Sequence, residues 1–159
     1  RYMLSLGNQV LGDGGFSSRL YKELRVKTGY VYSVGSHFSW GRTRANYSIN
    51  YGSDPDKVGK AANLALKSLQ NMQTYPVTAE ELALAKASLL RSIPLQRASL
   101  SDIADEYLSL EELGLPLDTG NRAARAYYKA TAADVQKAFK KWLRVDGMAE
   151  VVKGPQPTW

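Results

Sequence analysis

The pattern of apolar and polar positions divides the chain into a helical beginning, a strand pair and a long helical remainder. Residues 2–11 carry apolar side chains at helical spacing, and the glycine-rich stretch 12–15 ends that helix. A second helix follows, with Leu20 and Leu24 one turn apart on its buried stripe and Gly29 in position to end it. The pattern therefore predicts two helices, separated by a glycine turn, before any strand begins.

A strand pair is predicted next. Residues 30–39 are rich in β-forming side chains, and residues 43–51 alternate between apolar and polar positions. The apolar positions of the second segment share one face, so we expect an antiparallel hairpin with one buried side. These positions are Ala45, Tyr47, Ile49 and Tyr51.

The remainder of the chain reads as a series of helices with clear start signals. A weaker helical segment covers residues 118–129, and residues 147–153 are predicted to form a closing strand. Because strands and helices are segregated along the chain, their order indicates an α+β fold. The start signals are Asp54-Pro55, Thr78 with Glu81, Ser99 with Asp102, and Thr131.

Two of these helices have an apolar stripe. The stripe of the helix that Thr131 begins includes Phe139 and Trp142, which we expect in the core. The stripe of the helix that Ser99 begins consists of Leu100, Ile103, Ala104, Tyr107 and Leu108.

Composition sets the size and class of the protein. Its 159 residues and 44% hydrophobic content are sufficient for a buried core, and we treat residues 1–159 as a single, partial domain. We find no signal peptide and no apolar run of the roughly 18 residues that span a membrane. The chain begins at Arg1, inside a predicted helix, so we expect a fragment or a processed product. The sequence does not determine the compartment; our expectation is the bacterial periplasm or cytoplasm.

Side chains that bind metals are scarce. The chain has no cysteine, and His37 is its single histidine. An ordinary zinc site needs three or four His, Cys or carboxylate ligands. We therefore predict no metal and no cofactor site in this chain.

Positive charge is concentrated at the two ends of the chain, within a formal net charge of +6. Residues 1–52 carry seven basic and two acidic side chains, residues 53–118 six and ten, and residues 119–159 eight and three. Nucleic acid could explain such ends, but no RNA motif or recognition helix accompanies the charge. An acidic protein partner or substrate is the better explanation.

The candidate chemistry lies where the second helix passes into the first strand. Arg25 is on the helix, and Tyr32 follows seven positions later on the predicted strand. A cation and a phenol held at one corner can together polarise a carbonyl group. The simpler alternatives are a solvated helix arginine and a core or edge-strand tyrosine.

A resemblance to a known family rests on this region. The run LGDGGFSSRLYKELRVKTGYVYSV is similar to the start of the C-terminal homologous domain of pitrilysin/insulinase-type zinc peptidases, including the bacterial two-subunit forms and mitochondrial processing peptidase. The later segments agree in order. They are the hairpin, the helix that begins at Asp54-Pro55, PVTAEEL, SLSDIADEYL, a GLP turn, KATAADVQKAFKKWL and a final KGP.

The resemblance implies a two-layer fold in which an antiparallel sheet packs against helices. It also implies a partner, because the inverted H-x-x-E-H zinc motif of the family lies in another homologous domain or subunit, and this chain lacks it. The family's arginine–tyrosine pair corresponds to Arg25 and Tyr32, which would bind a peptide substrate and polarise its scissile carbonyl. Arg19 and Tyr30 are additional candidates for substrate binding, although an ion pair is the alternative for Arg19.

The chain departs from the family pattern in two respects. Tyr30 stands where the family commonly has an aliphatic residue, and by strand periodicity it should share a face with Tyr32. The strands expected before residue 2 are absent. Two functions remain open: the non-zinc half of a peptidase, or a scaffold domain that has lost peptidase activity. A nucleic-acid-binding module is the least favoured third alternative.

Overall fold

A computed structural model describes residues 1–155 of the chain. Helix α1 continues into a π-helical turn, Gln9–Asp13, and a second π-helical segment, Tyr21–Lys27, is called the corner helix below. The remaining helices follow a single hairpin. In chain order the elements are α1 (Tyr2–Asn8), the corner helix, β1 (Ser33–Trp40), β2 (Ala45–Gly52), α2 (Val58–Thr74), α3 (Ala79–Leu95), α4 (Leu100–Glu112), α5 (Thr119–Lys129) and α6 (Ala132–Trp142).

The two strands pair antiparallel and form a two-stranded sheet within the described residues. Phe38 lies opposite Tyr47 and Ser36 opposite Ile49, so the predicted apolar face of β2 faces the helices. The other face carries small polar side chains and His37, which lies opposite Ser48 and is exposed. The predicted hairpin is confirmed; on the predicted face of β2, Tyr47, Ile49 and Tyr51 are half-buried and Ala45 is exposed.

One hydrophobic core joins the sheet to the helices, as the α+β prediction required. Leu20 and Leu24 of the second predicted helix are completely buried, and Phe139 of α6 is enclosed against α1. Three of the four predicted start signals are also confirmed, since Thr78, Ser99 and Thr131 each form a full capping box. None of the helices among residues 1–155 combines the length and apolar character that a membrane crossing requires.

The predicted closing strand is wrong. A short 3₁₀ turn occupies Val145–Gly147, and residues 148–153 are irregular. A strand requires a neighbour for its backbone hydrogen bonds. Residues 148–153 are separated from β2 by a cleft of about 380 Å³, which only side chains bridge, as the Tyr51 hydroxyl does to Glu150 at 3.4 Å.

One residue predicted to lie in the core is exposed, and so is most of the apolar stripe of α4. Trp142 is 63% exposed, because it lies in the last turn of α6, where the lysine-rich side of the helix faces solvent. On α4, Leu100 is 87% and Leu108 65% exposed, and Leu110 is the buried residue of that helix. Periodicity identified the apolar side of α4, but only tertiary packing decides which side of a helix is covered.

Candidate functional site

A glycine turn sets the corner between the corner helix and β1. Gly29 has a φ of +60°, a left-handed conformation that other residues adopt with strain, and no other atom crowds the position of a Cβ there. The Tyr30 amide donates to the Leu24 carbonyl at 2.9 Å, which closes the helix end. Val31 is buried and fixes the chain to the core between two more exposed tyrosines.

Arg25 folds back over this turn. Its guanidinium Nη1 donates to the Val31 carbonyl oxygen at 3.1 Å, although the residue is exposed. The cation is thereby held beside the peptide bond that joins Val31 to Tyr32. Its other N–H groups have no hydrogen-bond partner among residues 1–155.

Tyr32 is joined to the end of β2 by both its backbone and its side chain. Its amide donates to the Gly52 carbonyl at 2.7 Å, and its hydroxyl donates to Asp54 Oδ1. The side chain is 62% exposed. β1 begins at Ser33, not at residue 30, because the turn after Gly29 is still being completed at Tyr32. Tyr30 and Tyr32 therefore do not share a strand face as predicted, since Tyr30 packs at the edge of the core.

Asp54 and Lys57 complete the corner, and neither is among the candidate site residues that the sequence indicates. Asp54 was predicted as a helix cap, but its side chain makes no cap hydrogen bond and instead accepts from Tyr32 and from Lys57 Nζ at 2.7 Å. No sequence signal reveals this, because residues 32 and 54 meet only through the hairpin register, which places Tyr32 beside Gly52.

The three side chains of this network shift one another's pKa. The Lys57 ammonium, and then the Tyr32 hydroxyl, lower the pKa of Asp54. The hydrogen bond to Asp54 raises the pKa of Tyr32, and the same carboxylate raises the pKa of Lys57. At neutral pH the corner therefore presents a protonated phenol, a carboxylate and two cations, Arg25 and Lys57. Together these side chains can donate hydrogen bonds to a carbonyl oxygen, but none of them is a base suited to activating water.

Arg19 lies apart from this network. Its Nε and Nη2 donate to the two carboxylate oxygens of Glu81 at 2.7 and 2.6 Å. Glu81 also accepts from the Thr78 amide in the capping box of α3, so Arg19 fixes the corner helix to the start of α3. This is the ion pair that we had considered as the alternative to substrate binding.

Among residues 1–155, no group of three or more His, Cys, Asp or Glu side chains is arranged to hold a metal ion. Asp54 is the carboxylate that contacts the corner, and its partners are a hydroxyl and an ammonium group. Each oxygen of this carboxylate already accepts a hydrogen bond, so Asp54 is not free to bind a metal ion.

Comparisons with known proteins agree with the resemblance of the motifs. The family model described as the peptidase M16 inactive domain matches residues 1–89. The Helicobacter pylori protein named non-peptidase homolog YmxG is 27% identical over 147 residues, which are 87% of this chain and 32% of that protein. An uncharacterized zinc protease of Streptomyces coelicolor is 30% identical over 95 residues, or 60% of this chain and 20% of the relative. The chain thus spans at most about a third of the length of these curated relatives.

Solved structures show the same architecture. The M16 inactive domain from Pseudomonas fluorescens superposes with a TM-score of 0.83 at 32% identity, over 91% of this chain and 34% of that one. The periplasmic protease PqqL of Escherichia coli has a TM-score of 0.73 over 90% of this chain and 16% of its own, and at 19% identity it supports the fold alone. Because the family match covers more than half of the chain, and the fold agrees, this protein belongs to the peptidase M16 (pitrilysin/insulinase) family and carries its inactive type of domain.

Proposed function

We propose that this chain is the part of a zinc metallopeptidase that binds no zinc, and that it supplies Arg25 and Tyr32 to a site completed by a homologous zinc-bearing domain or subunit. In this proposal residues 1–159 form part of one domain, and peptide-bond hydrolysis requires both halves. The chain alone would be inactive, because the corner contains no group that activates water.

The observation that carries the proposal is the joint exposure of Arg25 and Tyr32 at a corner with a fixed backbone. Gly29, the buried Val31 and the amide of Tyr32 all hold that backbone in place. Preorganised donors are effective because they need no rearrangement as charge develops, and one good donor lowers a barrier by roughly 3 kcal/mol. A rigid corner with exposed donors meets that requirement.

The two side chains would act differently. The Tyr32 hydroxyl has a single hydrogen, which Asp54 now accepts, so binding a substrate carbonyl exchanges one acceptor for another. Arg25 can keep its bond to Val31 while its remaining N–H groups bind the substrate backbone. Asp54 and Lys57 act as positioning residues that keep the phenol protonated and oriented.

The test measures turnover of an unstructured peptide by the complete assembly of both halves. Arg25→Ala and Tyr32→Phe should each reduce turnover at least about tenfold without changing bound zinc. Arg91→Ala and Tyr75→Phe are matched controls, because Arg91 is an exposed helix arginine and Tyr75 is as exposed as Tyr32. Wild-type turnover in both corner variants would exclude the assigned roles.

A second function is favoured by one specific observation. The matching family model is described as an inactive domain, and the relative YmxG is named a non-peptidase homolog. In a scaffold protein the domain would hold a partner subunit without contributing to hydrolysis. An assembly with no H-x-x-E-H segment in either half, no bound zinc and no turnover would establish this alternative.

The substrate-binding roles predicted for Arg19 and Tyr30 remain predictions. Arg19 has two of its donors on Glu81, and Tyr30 packs partly against the core, so any contact with a peptide would use their exposed edges. Arg19→Lys and Tyr30→Phe should change KM more than kcat in the assembled enzyme if these roles are correct.

A further inference from the structure

The outer side of α4 is an apolar surface that no other part of residues 1–155 covers. Leu100, Ala104, Tyr107 and Leu108 fall within about 100° of the helix circumference. Leu100 is 87%, Tyr107 41% and Leu108 65% exposed. We call these four residues the α4 outer face. A soluble protein rarely exposes such a stripe unless a partner covers it.

The opposite side of α4 makes the contacts of this helix with other residues. Leu110 is buried, and Glu106 accepts two hydrogen bonds from Arg97 at 2.6 and 2.8 Å. The helix begins at a capping box formed by Ser99 and Asp102. The ion pair and the cap orient α4 relative to the segment that precedes it, and Leu110 is the side chain that α4 buries.

Acidic side chains surround the outer face. Asp105, Glu111 and Glu112 are exposed, and none has an ion-pair partner among residues 1–155. A partner surface should therefore be apolar at its centre and basic at its rim.

The same chain has a surface of that description on α5 and α6. A shallow groove of about 400 Å³ has Met3, Ala126 and Ala138 at its floor. Three exposed lysines at its rim, Lys129, Lys137 and Lys141, form no ion pair among the described residues. Asp134 also lines the groove, but its carboxylate accepts from the backbone and hydroxyl of Thr131. We call this surface the lysine groove.

The two surfaces do not meet within one molecule. Gly120, at the start of α5, lies beside Arg97 and Glu106, so α4 is near that end of α5. Lys129, at the groove, ends α5 nine residues later, about 14 Å along the helix. In this structure, therefore, the α4 outer face does not contact the groove of its own copy.

We propose that two copies of this chain associate reciprocally, with the α4 outer face of each copy bound in the lysine groove of the other. Each copy contributes one α4 outer face and one lysine groove. When both pairs of surfaces are in contact, neither copy has a surface left for a third chain, so the assembly ends at two chains. The apolar centre provides contact area, while the acidic and basic rims determine which surfaces pair. This inference does not depend on the roles proposed for Arg25 and Tyr32.

Charge reversal gives a direct test by sedimentation velocity. At about 100 µM chain and about 50 mM salt we expect the wild type to form dimers. Asp105→Lys/Glu112→Lys, and separately Lys137→Glu/Lys141→Glu, should each weaken dimerisation at least about tenfold. A mixture of the two variants should regain dimers that contain one copy of each, because both of their contacts again join opposite charges.

Two control variants each reverse a single charge elsewhere. Asp13 and Lys60 are exposed and lie outside both surfaces, so Asp13→Lys and Lys60→Glu should leave dimerisation unchanged. Circular dichroism verifies that each variant is folded, and the groove variant provides an independent measurement if the α4 variant is not. A wild-type monomer at these concentrations, or a mixture that fails to recover mixed dimers, overturns the proposal.

Discussion

Tyr32 is joined twice to the residues that follow β2: its amide donates to the Gly52 carbonyl and its hydroxyl to the Asp54 carboxylate. The first bond continues the hairpin beyond β1, and the second fixes an exposed aromatic ring. Arg25 adds a third constraint through the Val31 carbonyl. The corner is therefore defined by contacts among segments that are separate in sequence, and its properties can be tested one contact at a time.

The link between Tyr32 and Asp54 should be visible in the titration of the phenol. Since Asp54 raises the pKa of Tyr32, Asp54→Asn should lower that pKa toward the ordinary value. Asp56→Asn is the matched control, because Asp56 contributes the smallest of the charge effects on Tyr32 and its removal should shift the pKa less. NMR of ring-labelled tyrosine measures both shifts. Equal shifts in the two variants would contradict the hydrogen bond.

The dependence of stability on pH follows from the pKa of Asp54. Lys57 and Tyr32 lower this pKa in the folded protein, so the contribution of Asp54 is present above its unfolded pKa and is lost as the pH falls through the folded value. Asp54→Asn should therefore flatten the decline of unfolding free energy below about pH 4. Urea denaturation across this range measures the effect, and an unchanged slope would show that the interaction is absent in solution.

Glu81 should contribute more to stability than Glu106, although the two carboxylates accept similar paired hydrogen bonds from arginine. Glu81 is bound by Arg19 and also completes the capping box of α3, whereas Glu106 is bound by Arg97 alone. Both carboxylates are partly exposed, so the ion pairs themselves contribute little. We expect Glu81→Ala to cost about 1 kcal/mol more than Glu106→Ala, because of the cap. Equal losses on urea denaturation would show that the cap contributes nothing.

Gly7 should tolerate no side chain. A Cβ at this position would lie 2.2 Å from a ring carbon of Phe139 and 2.8 Å from Val135, both of which are buried. We expect Gly7→Ala to destabilise the protein by about 1–3 kcal/mol through overpacking between α1 and α6. A double-mutant cycle with Phe139→Leu should recover part of that loss, whereas additive losses would place the strain elsewhere.

At Gly29 the backbone conformation, and not the available space, limits which residues can be substituted. No atom lies within 4 Å of a Cβ built there, but its φ is +60°. Gly29→Ala should cost about 1 kcal/mol, and Gly29→Asn less, because asparagine adopts the left-handed region more readily. Thermal unfolding of both variants provides the comparison. A larger loss for asparagine would argue against backbone strain as the cause.

The sequence by itself determined the elements whose signals are local. These signals depend on residues within a few positions of each other, and the elements appear as expected. They are the capping boxes at Thr78, Ser99 and Thr131, the glycine at position 29 and the strand pattern of β2. The same locality allowed Arg25 and Tyr32 to be placed together at one corner.

Only the tertiary structure decided what depends on distant contacts. In the folded chain Asp54 accepts hydrogen bonds from Tyr32 and Lys57, and Arg19 donates to Glu81. Residues 148–153 lie beside no strand among the described residues. The tertiary structure also determined that α4 buries Leu110 and exposes Leu100 and Leu108. The physical reason is the same in each case: periodicity and capping describe a segment and its nearest neighbours, whereas burial and hydrogen-bond partners depend on which other segments the folded chain brings alongside.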